Sequence, residues 1–109
     1  MTFRLNDSRV LVTGGAGGMG RLYAERALRE GAAHVEIWDR DADALDATVA
    51  ELARPGATAV GRVVDLGDTA AVVAGAEDYL AGGAPQLLVN NAGIVRGALF
   101  WVHEVGRDI

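Results

Sequence analysis

The chain has 109 residues, half of them apolar and 23% charged, with a net charge of −5 and no cysteine. That length suits one small domain able to bury roughly 60–70% of its unfolded surface, and the composition excludes a disordered polymer, a membrane-spanning apolar run, disulfides and thiolate chemistry. The ten basic residues are all arginines, scattered from Arg4 to Arg107, which leaves no cationic cluster for nucleic acid, and the opening residues lack the long apolar stretch of a secretion signal, so a cytoplasmic location is expected.

Arg9-Val10-Leu11-Val12 is apolar at consecutive positions, the pattern of a strand covered by helices on both faces. A glycine-rich turn, Thr13 to Gly20, follows and opens a helix whose apolar stripe is read as Met19, Tyr23, Ala27 and Leu28, stopped by Gly31. His34 to Asp39 alternates and ends in an acid, which predicts a second strand with Asp39 at its carboxyl end, the edge of such sheets where ligands bind. A second helix starts near Asp41 or Asp43, carries Leu45, Val49 and Leu52, and ends at Arg54-Pro55-Gly56. Ala59 to Val64 is the third strand, closed by Asp65; Asp68 then caps a helix through Val72, Val73, Ala76 and Leu80. Gln86 to Val89 is a fourth strand, followed by Asn90-Asn91-Ala92-Gly93 and a stretch expected to turn helical around Trp101 to Val105. The alternation β-α-β-α-β-α-β with short connections implies right-handed crossovers and an α/β, Rossmann-type doubly wound parallel sheet of order 3-2-1-4.

The glycine turn can cradle a dinucleotide pyrophosphate, because glycine reaches positive φ and lets backbone N–H groups approach phosphate oxygens. It satisfies three patterns at once: Gly15-x-Gly17-x-x-Gly20, Thr13-Gly14-x-x-Gly17-x-x-Gly20 and Thr13-Gly14-x-x-x-Gly18-x-Gly20. Asn90-Asn91-Ala92-Gly93 after an apolar fourth strand decides among them. With that tetrapeptide the chain resembles the amino-terminal part of the short-chain dehydrogenase/reductase family over its whole length. Gly20-Arg21-Leu22 and Ile37-Trp38-Asp39 are also similar to members acting on hydroxysteroids or retinoids.

The resemblance implies that Gly14, Gly18 and Gly20 line the pyrophosphate turn, with Met19 contributing backbone. Asp39 would accept from the adenosine ribose hydroxyls, Asp65 and the Leu66 backbone would meet the adenine edge, and Asn91, Ala92 and Gly93 would face the cofactor. Asn90 would tie the fourth strand to its neighbours. A carboxylate at Asp39 repels a ribose 2′-phosphate, so NAD is expected over NADP, although Arg40 beside it could pair with that phosphate. The substrate expected for the full-length protein is a small alcohol or ketone, and a homo-oligomer is the expected assembly.

The family's catalytic tyrosine and lysine have no counterpart: the chain contains no lysine, and neither Tyr23 nor Tyr79 is followed four residues later by a basic group. No catalytic residue and no metal-ligand set is assigned; Trp38 and Trp101 are read as packing residues, and His34 and His103 as surface histidines. Two accounts fit. In one, the chain is the cofactor-binding half of an NAD(P)-dependent oxidoreductase, truncated before its catalytic half, with the fourth strand as an unpaired edge. In the other it is a non-catalytic dinucleotide-binding or interaction module.

Overall fold

The computed structural model of the chain describes residues 5–91. Within them lie β1 (Arg9–Thr13), α1 (Gly18–Arg29), β2 (His34–Asp39), α2 (Ala42–Leu52), β3 (Thr58–Val63), α3 (Thr69–Ala81) and β4 (Leu87–Asn90). The strands form one parallel sheet in the order β3-β2-β1-β4, with Thr13 level with Trp38 on one side and Asn90 on the other. This is the order that the sequence predicts. The expected helical stretch around Trp101 lies outside the described residues.

The two-residue period of a strand sends successive side chains to opposite faces, and the core divides accordingly. Val10, Val12, Val35 and Ile37 join Ala24, Ala27, Leu28, Leu45 and Leu52 in one cluster, under α1 and α2. Leu11 and Trp38 join Val64, Val72, Ala76 and Tyr79 in the other, under α3. Glu36 also points to the α3 side, where its buried carboxylate accepts from Trp38 Nε1 at 2.8 Å and pairs with Arg62 Nε at 3.4 Å.

Two helix faces and one histidine differ from the sequence reading. Helix α1 buries Gly20, Ala24, Ala27 and Leu28, while Met19 and Tyr23 are 53% and 41% exposed. Small residues let the helix axis approach the sheet closely, and that close face, not the larger side chains, decides the helix's rotation. Tyr23 instead lines a groove with Leu5, Leu87 and Val89. Helix α3 buries Val72, Gly75, Ala76 and Tyr79; Val73 and Leu80 fall off that i, i+3, i+4, i+7 stripe and stay exposed. His34 is half-buried, with no partner for Nδ1 among the described residues, so it is not a surface histidine.

Candidate functional site

The carboxyl ends of β1, β2 and β4 bring together most of the residues singled out in the sequence. Past Thr13 the chain enters left-handed backbone at Gly14, φ +67°, and again at Gly18, φ +55°, where a side chain would be strained. The turn is fixed at several points. Gly14 and Gly15 N–H groups donate to Trp38 O at 2.7 and 3.3 Å, and Asn91 Nδ2 donates to Gly14 O at 3.3 Å. Gly20 sits so close that a Cβ there would overlap the Gly14 carbonyl oxygen. At Gly17 and Gly18, by contrast, a Cβ would meet nothing within 4 Å. The turn is held from behind and open in front.

Behind this open side stands the amino terminus of α1, whose first-turn N–H groups have no intrahelical acceptor. Helices α2 and α3 satisfy theirs with Asp41 and Asp68, which accept from Ala44 N and Ala71 N at 3.0 and 3.2 Å. Helix α1 has Gly17 at that position, no side-chain cap and no acid in its first turn. Unsatisfied donors at the positive end of a helix dipole suit an anion, and the open glycine surface leaves room for one. The residues present therefore fit a diphosphate.

Asp39 closes β2 beside this turn. Its Oδ2 accepts from Ala16 N at 3.1 Å and its Oδ1 from Asp41 N at 3.0 Å, so the carboxylate is held in place at the sheet edge, and each oxygen keeps a free lone pair. Thr48, on the buried face of α2, donates its hydroxyl to Ala16 O at 3.0 Å. Sequence reading missed Thr48; its signal was a polar residue in the stripe Leu45, Thr48, Leu52. Asn90 accepts from the Thr13 hydroxyl at 2.9 Å, and that hydroxyl in turn accepts from Asn91 N at 3.2 Å, which ties β4 to β1. Asp65 lies beyond β3, exposed, with Oδ1 accepting from Gly67 N at 2.8 Å, and Leu66 packs on the α3-side cluster. Ala92 and Gly93 lie outside the described residues.

A family model described as short chain dehydrogenase matches residues 8–105. The chain belongs to the short chain dehydrogenase family. Among curated relatives, the (2S)-[(R)-hydroxy(phenyl)methyl]succinyl-CoA dehydrogenase subunit BbsD of Thauera aromatica is 43% identical over 101 residues, 91% of this chain and 40% of that protein. The 2-dehydro-3-deoxy-L-rhamnonate dehydrogenase (NAD(+)) of a Sphingomonas species is 44% identical, over 90% of this chain and 37% of its own length. A crystal structure of a metagenomic short-chain oxidoreductase in complex with NADP superposes with a TM-score of 0.75 at 34% identity, over 83% of this chain and 41% of that one. Family members of this kind bind NAD or NADP, and this chain spans about two-fifths of the length of such relatives.

Neither tyrosine among the described residues belongs to this edge by packing. Tyr79 lies on α3 against Arg9 and His34, the first residues of β1 and β2, about 13 Å along the strands from Thr13. Among the described residues no group of three or more His, Cys, Asp or Glu could hold a metal ion, and no helix is long and apolar enough to cross a membrane.

Proposed function

We propose that this chain is the cofactor-binding part of an NAD-dependent short chain dehydrogenase, holding the adenosine and diphosphate portions of the dinucleotide at the carboxyl ends of β1, β2 and β4. The observation that carries this reading is the uncapped amino terminus of α1 behind an open glycine turn, with the Asp39 carboxylate fixed beside it. In this arrangement Gly14, Gly18 and Gly20 line the diphosphate turn, Met19 contributes backbone, and Asp39 accepts from the ribose hydroxyls. Asp65, Leu66, Asn91, Ala92 and Gly93 complete the adenosine and ribose surroundings. When bound, the nicotinamide supplies hydride transfer to or from an alcohol or ketone; the residues named here bind and orient it. Cytoplasmic residence extends the expectation drawn from the opening residues, and homo-oligomeric assembly of the full-length protein extends the family likeness.

The preference for NAD follows from charge. A carboxylate about 4 Å from a 2′-phosphate raises its energy by ~1–4 kcal/mol per unit charge, at effective dielectrics of 80 to 20. Arg40 next to it is exposed, and an exposed arginine offsets little of that. In equilibrium titrations the full chain is expected to bind NAD at least tenfold more tightly than NADP. Asp39→Asn keeps an acceptor for Ala16 N while removing the charge, and should narrow that gap to about threefold or less. A tenfold preference for NADP, or a folded chain that binds neither dinucleotide, overturns the assignment.

A further inference from the structure

Ala16 is held at both of its backbone polar groups by side chains from different elements. Its N–H goes to Asp39 on β2 and its carbonyl oxygen receives the Thr48 hydroxyl from α2. A threonine inside a helix commonly turns its hydroxyl to a carbonyl of its own helix, three or four residues back. Thr48 instead reaches a carbonyl 32 positions earlier in the chain, from a side chain that is itself 3% exposed to a residue that is half-buried.

The peptide joining Ala16 to Gly17 is planar and trans, so its C=O and N–H point in opposite directions. Pinning the Ala16 oxygen towards α2 therefore aims the Gly17 N–H away from α2. Gly17 caps α1 in extended backbone, φ −166°, and a Cβ there meets only open space. Glycines at 15 and 17 place few barriers on rotation of the linking peptides, so the side-chain hydrogen bonds must supply the restraint.

We propose that Thr48 is a positioning residue for the cofactor turn: by holding the Ala16 carbonyl, its hydroxyl fixes the Gly17 N–H in the direction from which the diphosphate is bound. This rests on the dinucleotide reading above and assigns to α2, an element with no expected cofactor contact of its own, a part in diphosphate affinity. Thr48→Val keeps the shape and removes the donor, leaving a half-buried carbonyl without its partner and the peptide free to turn. Thr48→Ser keeps the donor.

The test is a titration of the full chain and both variants with NAD and with adenosine, which lacks the diphosphate. Thr48→Val should weaken NAD binding about tenfold, the order of one buried hydrogen bond, with adenosine affinity changed by no more than about twofold. Thr48→Ser should bind NAD within about threefold of the unmodified chain. In the unmodified chain, the Gly17 amide resonance should shift on adding ADP and stay in place on adding adenosine, a readout that survives even if Thr48→Val does not fold. Unchanged NAD affinity in Thr48→Val, equal losses for NAD and adenosine, no rescue by serine, or a Gly17 amide indifferent to ADP would each overturn the proposal. Failure of the folded, unmodified chain to bind NAD at all instead overturns the cofactor reading on which it stands.

Discussion

Tyr79 has the largest fully buried side chain after Trp38, at 2% exposure, yet its hydroxyl has no hydrogen-bond partner among the described residues. Its ring makes the stronger contribution. Arg9 places its guanidinium 4.1 Å from the ring centroid and donates from Nη1 to Tyr79 O at 3.1 Å and also to Gly83 O, so the cation is fixed by carbonyls over an aromatic face. The His34 ring lies 6.3 Å away, tilted by 58°. Burial pushes the Tyr79 phenol above its ordinary pKa, with Arg9 opposing and Glu36 adding to the rise. An unpartnered buried hydroxyl costs stability, so Tyr79→Phe should leave the urea midpoint unchanged or raise it, whereas Tyr79→Ala should cost about 3–5 kcal/mol by cavity formation. A loss above about 1 kcal/mol in the phenylalanine variant would show that the hydroxyl is bonded in solution.

Among the elements, the segment from β1 into α1 carries two kinds of glycine that substitution should separate. At Gly20 a Cβ would overlap the Gly14 carbonyl oxygen and stand 2.8 Å from Asn91 Nδ2. Backbone cannot move aside as a flexible side chain can, so Gly20→Ala should distort the turn and lower both stability and NAD affinity. Gly17 has extended backbone that alanine adopts and open space around it. Gly17→Ala should therefore melt within about 1 kcal/mol of the parent while losing tenfold or more in NAD affinity, because the methyl group would occupy the approach of the diphosphate; thermal melts and titrations on the same samples separate the two effects. The sequence made much of this segment legible, since glycine spacing directly encodes positive φ and close approach. The cap at Asp68 was legible for a similar local reason, an acid at the turn before an apolar repeat; of the two acids that could open α2, the structure makes Asp41 the cap and places Asp43 in the first turn. The rotations of α1 and α3 were not, because Met19, Tyr23, Val73 and Leu80 are as apolar as a buried stripe requires. What turns them outward is the close packing of Gly20, Ala24 and Ala27 in one helix, and of Gly75 against Trp38 and Arg62 in the other. Thr48 left a trace as a polar residue in an apolar stripe, but its partner was illegible, because that partner is a carbonyl, which every residue has.

Across the whole molecule, parallel strands place the proposed cofactor edge and the Arg9, His34 and Tyr79 cluster at opposite ends of the sheet, so the chain's response to pH can be read apart from its response to cofactor. The cationic side chains are all arginine, with no lysine or cysteine, and carboxylates titrate mostly below about pH 5. Histidine is the side chain whose ordinary pKa lies between pH 5 and 7, and the chain has two, His34 and His103. His34 has a lowered pKa, first because burial disfavours its charged form and second because Arg9 repels it; Glu36 and a backbone hydrogen bond oppose both. Tyr79, the group facing it from α3, stays neutral throughout this window. The unfolded chain, with an ordinary histidine near pH 6.5, thus binds the proton more readily than the folded chain. Stability is fully present above that value and is lost as pH falls through it towards the lower folded-state pKa. Urea midpoints should fall from pH 7 to pH 5 in the parent, and fall less in His34→Gln, which cannot take up the proton. Parallel curves for the two proteins would mean that His34 charges as easily in the folded chain as in the unfolded one, and that the desolvation and the Arg9 repulsion at this end of the sheet are offset by Glu36.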